Sequence, residues 1–322
     1  MSTRWAGCAT PARRHKPMPG RIVEIAEDGR HLSLHRGFLK VEAGGAEIGR
    51  VPLDDIGAVI GNAHGITWSN NILVELARRG APVVLCGANH APEAWLWSAA
   101  GHHAQTARIN AQIDAARPLE KRLWQMLVVG KISLQAAALD AAGKPSGGVA
   151  GLTRKVRSGD PENAEAQAAR RYWPLMMGDD FRRDRARSGI NSLLNYGYTV
   201  LRASAARAVI AAGLHPSIGV YHRTRTDPLC LSSDVMEPFR PVIDLAALRL
   251  FHEQGTEVTP DAKAALVGAL TADMETARGV TPVSTCIERL AVSLAQSYES
   301  GTPALEMPHR IPPLTAAALG RT

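Results

Sequence analysis

The sequence predicts an α+β chain in two parts: a small β-rich, β-sandwich-like N-terminal domain and a larger, all-α-helical C-terminal domain. Three observations predict it. The 322 residues exceed what one hydrophobic core usually serves, short alternating apolar runs fill positions 20–101, and beyond about residue 102 the apolar period becomes helical.

Residues 1–19 (MSTRWAGCATPARRHKPMP) mix Pro, Arg and small residues without periodicity and read as a flexible basic arm outside the fold. From Gly20 to Leu53 the runs RIVEI, HLSLH, FLKVE and EIGRVPL read as strands joined by tight turns at Asp28-Gly29, Gly37 and Gly44-Gly45. A further strand over Ile56–Ile60 precedes the amphipathic helix NILVELARR, the buried-type strand PVVLC and a last strand WLWSA.

The helical part spans 102–300. HAQTARINAQIDAA and LEKRLWQMLVVGKISLQAAAL have helical spacing, separated at Pro118. The Gly- and Pro-rich segment 144–151 is expected to be a loop, and Asp160-Pro161 to start a helix reaching about Met177. A long apolar helix over about 188–212 ends at Gly213, and Thr259-Pro260 and Thr281-Pro282 each signal a further helix start. The tail 301–322, with PALEMPHRIPPL, is expected to be proline-rich and extended.

Composition narrows the function. Thirty-seven Lys and Arg against 30 Asp and Glu leave a net +7, which favours an anionic partner, nucleic acid first. Four cysteines without a C-x-x-C pair indicate neither a disulfide scaffold nor a cysteine zinc site, and point to the reducing cytoplasm. No segment has the uninterrupted apolar length of a membrane span or a signal peptide. Six Trp, five Tyr and four Phe are too few and scattered for a protein that stacks successive bases, so the DNA backbone should dominate recognition.

Chemistry at phosphorus needs charge neutralisation, and carboxylates with a histidine around a divalent cation supply it. Glu165 stands about one turn into the Asp160 helix on a partly buried face; the alternative is an exposed first-turn Glu favoured by the helix dipole, a role that Glu162 fits better. His222, in LHPSIGVYHRTRTDPLC, is placed to point into a cleft, with His215 its competitor and an ordinary hydrogen-bonding histidine the alternative. SSDVMEPFRP puts Asp234 and Glu237 three residues apart, as a cation-holding pair or as acidic residues at a Ser-capped helix start. Around them stand Arg154, Lys155, Arg157, Arg170, Arg171, Arg182, Arg183, Arg185, Arg187 and Arg223, either phosphate contacts or a solvated basic face.

Taken together, NAEAQAARRYWPLMMG, NSLLNYGYTVLRASAARAVIAAGLHPSIGVYHR and CLSSDVMEPFRPVID resemble the Cas1 family, the CRISPR-associated endonuclease and integrase of spacer acquisition. GRHLSLHRGFLKV, VPLDDIGAVIG, GHHAQTARINAQI and VVGKISLQAAAL agree with it, and the form most resembled accompanies type II systems. The resemblance covers roughly 20–300. It implies that Glu165, His222 and Glu237 are the catalytic metal ligands for Mg²⁺ or Mn²⁺, and that Asp234 is a supporting carboxylate. Glu237 stands where many relatives carry Asp, another hard oxygen ligand of shorter reach.

The resemblance further implies a β-rich domain (20–101) that dimerises and a catalytic domain (102–300) that acts on double-stranded DNA with the small partner Cas2. The implied reaction is attack by the 3′-hydroxyl of a captured fragment on a repeat phosphodiester. Arg170, Arg171, Arg182, Arg183, Arg185, Arg187 and Arg223 are the candidate DNA contacts, and Asn191, Asn195 and Tyr196 the candidate supports of the active-site region. Trp95 and Trp97 are candidates for a subunit interface or a core. Two other readings stay open: a hydrolytic nuclease of branched DNA and a non-catalytic DNA-capturing scaffold.

Overall fold

The computed structural model describes residues 21–87, 92–96, 98–99, 104–224 and 227–320; the arm at 1–19 and Trp97 lie outside these. Ten strands and eleven α-helices are found among them: β1 (Arg21–Ile25), β2 (Arg30–His35), β3 (Phe38–Ala43), β4 (Ala46–Pro52), β5 (Ile56–Gly61), β6 (Thr67–Trp68), α1 (Asn70–Arg78), β7 (Val83–Cys86) and β8 (Pro92–Leu96) come first. Then follow α2 (Gln105–Ile113), α3 (Arg117–Ala141), α4 (Gly147–Ala150), α5 (Ala164–Met177), α6 (Ile190–Ala211), α7 (Cys230–Met236), α8 (Arg240–Gln254) and α9 (Pro260–Gly268). The hairpin β9 (Asp273–Thr276) and β10 (Gly279–Pro282), α10 (Val283–Ser300) and α11 (Pro313–Gly320) complete the chain.

The strands form two four-stranded sheets, β4-β3-β2-β6 and β1-β5-β7-β8. Tight turns do join β2, β3 and β4: Arg36-Gly37 (φ 46° and 85°) and Gly44-Gly45 (φ 57° and 83°) take the two left-handed conformations that a two-residue hairpin needs. The Asp28-Gly29 turn does not pair its flanking strands. Instead β1 runs parallel to β5, and Asp28 Oδ1 accepts from the amides of His64 (2.9 Å) and Gly65 (2.7 Å), tying the turn to the chain beyond β5. Burial explains the choice, because this sheet is covered on both faces. Val23, Ile25, Val59 and Val83 face the other sheet and α1, whereas Ile22, Ala58, Ile60, Val84 and Trp95 pack against the helical core.

The helical part is built around α6, whose fully buried Leu193, Leu194, Val200 and Leu201 pack among α7, α8, α9 and α10. Gly197 lets α8 press close: a Cβ there would stand 2.5 Å from Ile243 Cγ2. The segment 144–151, expected as a loop, forms α4 and a 3-10 turn over Gly151–Lys155. Burial of Val149 and Leu152 overrides the weak helix propensity of its glycines. The helix signalled by Thr281-Pro282 forms one residue later than expected: α10 begins at Val283 with Pro282 as its N-cap, and Thr281 belongs to β10 of an inserted hairpin in an otherwise helical region. The tail is extended only to Pro312, beyond which the alanine-rich LTAAALG winds into α11 behind Pro313. No helix among the described residues is long and apolar enough to cross a membrane.

Candidate active site

The start of α5 is set by a tight turn in which Asp160 and Asn163 both adopt left-handed backbone (φ 48° and 51°). The helix therefore begins at Ala164 rather than at Pro161, and two side chains cap it. Asp160 accepts from the amides of Ala164 (2.8 Å) and Glu165 (3.0 Å), and Asn163 Oδ1 accepts from Ala166 (3.1 Å). Asp160 thus fixes the backbone of Glu165 itself. The Glu165 side chain turns toward α3, where its Oε1 lies 2.5 Å from Lys131 Nζ.

Glu237 opens the 3-10 turn between α7 and α8, nearly removed from solvent. Its two oxygens face two cations: Lys131 Nζ stands 2.6 Å from Oε2 and Arg240 Nη2 2.9 Å from Oε1. Burial works to raise this carboxyl, yet Arg240 and Lys131, with His222, bring it down to about 2. Burial likewise works to lower the Lys131 ammonium, and Glu237 and Glu165 outweigh it, so its pKa is raised. Oε2 of Glu237 is buried, with the Lys131 ammonium as its close neighbour. Arg240 is itself pinned, 4.7 Å above the Tyr198 ring.

His222 lies in the loop after α6. Gln112, buried on α2, fastens that loop by donating to the carbonyls of His215 (3.1 Å) and Ile218 (2.7 Å) and accepting from the His215 amide (2.9 Å). Gly219 is required by close approach: a Cβ there would stand 2.2 Å from the His222 carbonyl oxygen and 3.0 Å from Asp234 Oδ2. Asp234, fully buried, accepts the Tyr221 amide at 3.0 Å and pairs through Oδ1 with His222 Nδ1. Tyr221 stacks on Trp124 at 4.3 Å, and Trp124 meets the imidazole edge-on. The hydrogen bond to Asp234 is the main cause that raises the His222 pKa, and it commits Nδ1, leaving Nε2 for a ligand. His215 is exposed and bonds Ser217 Oγ at 2.7 Å, outside this cluster.

Glu165 and Glu237 are thus brought together from α5 and the α7–α8 junction, His222 is near enough to feel both charges, and Asp234 stands behind His222. Among the described residues no three His, Cys, Asp or Glu side chains stand at metal-ligating spacing, and Lys131 lies between the two carboxylates. The two carboxylates and the Nε2 nitrogen of His222 nonetheless supply the oxygen and imidazole donors that suit a hard divalent ion.

The sequence reading missed Lys131, Arg240 and Trp124. One signal was available for each cation: Lys131 interrupts the apolar run LVVGKISL, and Arg240 follows Glu237 by three residues.

The arginines divide. Arg170, Arg171, Arg182, Arg185 and Arg187 are exposed, as are Arg154, Lys155 and Arg157, while Arg183 is half-buried. Arg183 donates to Asn191 Oδ1 (2.9 Å) and Asn195 Oδ1 (2.7 Å), and the same two amides donate back to the carbonyls of Arg182 and Arg185. Asn191 and Asn195 therefore hold the arginine segment against α6. Arg171 also bonds the Gly148 carbonyl, and Arg223 pairs with Glu120. Tyr196 lies elsewhere: its hydroxyl donates to Glu24 Oε2 at 2.9 Å and Lys263 sits over its ring, joining the β-rich part to the helices.

This arrangement has relatives. Residues 23–263 match the family model of CRISPR associated protein Cas1. A CRISPR-associated endonuclease Cas1 of Neisseria meningitidis is 36% identical over 76% of this chain and 82% of its own length, and one of Thermus thermophilus 32% identical over 71% and 75%. Among solved structures, a casposase bound to integration product superposes with TM-score 0.74 at 18% identity, over 88% of this chain and 92% of that one. A Cas6-RT-Cas1–Cas2 complex does so with TM-score 0.69 at 17% identity, over 92% of this chain and 36% of that one. At these identities the structural likeness is one of fold; the match over most of the chain's length, with its curated relatives, places the chain in the CRISPR-associated Cas1 family.

Proposed function

We propose that this chain is a divalent-metal-dependent DNA endonuclease and integrase that inserts foreign DNA fragments into a CRISPR array. The observation that carries the reading is that Glu165 and Glu237 converge on one ammonium with His222 near enough to feel both charges, while exposed arginines stand farther along α5 and in the segment after it. The relatives named as endonucleases and the fold shared with a casposase bound to its integration product support it.

The reaction is a transesterification. The 3′-hydroxyl of the captured fragment attacks a phosphodiester at the repeat boundary, a new phosphodiester forms, and the old strand leaves with a free 3′ end. No protein nucleophile is used. Mg²⁺ or Mn²⁺, held by Glu165, Glu237 and His222 Nε2, would supply Lewis-acid polarisation of the phosphoryl oxygen and stabilise the leaving oxygen. Asp234 orients the imidazole, Arg240 holds Glu237 ionised, and Asp160 sets the position of Glu165. Arg170, Arg171, Arg182, Arg185, Arg187 and Arg223 hold the double-stranded DNA through its phosphates, and Arg183 orders their segment.

The working unit is a homodimer formed through the β-rich domain and joined to Cas2, as the shared fold with a Cas1–Cas2 complex suggests. The test is joining of a labelled double-stranded fragment to a repeat-containing plasmid with Mn²⁺, Mg²⁺ or chelator, with and without Cas2. Metal-dependent joining that Glu165→Ala and His222→Ala abolish is the expected result. Cutting without joining would identify a hydrolytic nuclease, and binding without either a scaffold.

A further inference from the structure

The Lys131 ammonium stands between the two carboxylates, 2.5 Å from Glu165 Oε1 and 2.6 Å from Glu237 Oε2. Its place is built into the packing. It projects from the middle of α3, between residues whose neighbours Val128, Ile132 and Leu134 are fully buried. Gly130 beside it lets α3 lie against the tail and the 237–239 turn, since a Cβ there would stand 2.7 Å from Met307 Sδ and 3.7 Å from Pro238 Cβ.

Charge is balanced at this corner: two carboxylates face two cations, Lys131 and Arg240. The cations are not equivalent. Of the two acids, Arg240 pairs with Glu237 through Oε1 and is pinned over Tyr198, whereas Lys131 reaches the oxygens of both from a flexible four-carbon stem. Those same acids are the ones that would ligate a divalent ion, and two cations drawn to the same oxygens repel.

We propose that Lys131 is the resident counter-cation of the metal-free site, holding Glu165 and Glu237 together and competing with the divalent ion for them. The inference rests on the metal-binding reading above. It makes the lysine a positioning residue, one that keeps two ligands from different elements paired until the ion replaces it.

The test measures Mn²⁺ affinity, by loss of the free-ion electron paramagnetic resonance signal, and thermal unfolding with and without Mn²⁺, on the full chain without DNA. Lys131→Met should unfold at a lower temperature than wild type when metal-free. It should also bind Mn²⁺ about tenfold tighter and gain more from it. Adding Glu165→Gln to Lys131→Met should recover the metal-free stability, because it removes the repulsion that the missing ammonium leaves behind. Lys131→Arg should bind no tighter than wild type. Should Lys131→Met fail to fold, Lys131→Gln, also uncharged, is judged by the same readings. Unchanged or weaker Mn²⁺ affinity in the uncharged variant overturns the competition, and absence of rescue by Glu165→Gln overturns the pairing. Failure of every protein, wild type included, to bind Mn²⁺ would instead overturn the metal reading and the competition with it.

Discussion

Glu237 and Asp244 lie two helical turns apart, both almost fully removed from solvent, and their carboxyls are shifted in opposite directions. Burial pushes each carboxyl upward. At Glu237 two cations within 2.9 Å reverse that push and bring the carboxyl down to about 2. At Asp244 the hydrogen-bond partners are the neutral hydroxyls of Tyr172, at 2.9 Å, and Tyr198, and these, with the more distant charges of Arg240 and Arg183, only moderate it, leaving the carboxyl up at about 6. Equal burial therefore yields a permanent anion in one place and a titrating acid in the other. The decisive variable is formal charge in the contact shell. One carboxylate is set for a cation, and the other ties α5, α6 and α8 into a scaffold.

The largest effect is expected from Glu237→Gln. Its near-isosteric amide removes the charge without emptying the space, and joining should fall on the order of a thousandfold, since charge stabilisation at phosphorus is lost. Asp244→Asn should leave joining within about tenfold of wild type. Initial rates on a repeat-containing plasmid, with circular dichroism to confirm folding, compare the two. Equal losses would erase the division between them.

Asp244 also makes stability depend on pH. Asp244 ionises near 3.8 in the unfolded chain and near 6 when folded, so between those values the folded protein holds more protons. The stabilising contribution is complete below the lower value and lost as pH rises through the upper. Asp244→Asn has no such dependence. Its stability relative to wild type should therefore climb by about 2 kcal/mol between pH 4 and 6, approach a total of about 3 kcal/mol, counted from below the lower value, near pH 7 and level off above. Urea unfolding across that range measures it, and a flat difference would mean that the tyrosines, not burial, control this acid.

Much of this was legible in one dimension. The hairpins around Arg36-Gly37 and Gly44-Gly45 declare themselves because only left-handed residues turn a chain in two steps. The helix carrying Glu165, the loop carrying His222 and the acidic turn carrying Glu237 lie in the segments that punctuation by Asp, Gly and Pro marks out. The parallel pairing of β1 with β5 was not legible, because it depends on a sheet buried on both faces, which a local alternating pattern does not reveal. Nor was Lys131. A lysine in a helix reads as surface until α3 is seen pressed onto the 237–239 turn, and only then does its charge acquire two partners.

A smaller effect should follow from Gly219→Ala, which sharpens the comparison from the histidine side. The new methyl meets the His222 carbonyl oxygen and the Asp234 carboxylate, so the loop must move although every charged group remains. Joining should fall by about tenfold through misplacement of the imidazole, with a loss of about 1–3 kcal/mol from overpacking. The same joining and urea measurements apply. An unchanged rate would show that charge alone, without the Asp234-imposed geometry, suffices.

The Asp244 network extends toward the surface at Arg183, whose guanidinium lies 5.2 Å over the Tyr198 ring while Tyr198 bonds Asp244. Held also by Asn191 and Asn195, Arg183 belongs with the scaffold; Arg185 and Arg187 are exposed beside it. Arg185→Gln and Arg187→Gln should each weaken duplex binding a few-fold and lower the salt slope by about 1, the signature of one lost phosphate contact. Arg183→Gln should lower the unfolding temperature and release its segment to proteolysis, moving the slope only through its neighbours. Fluorescence anisotropy across a salt series, beside limited proteolysis, separates the outcomes. A slope change in Arg183→Gln with intact proteolytic protection would reassign that residue from the buried network to the DNA face.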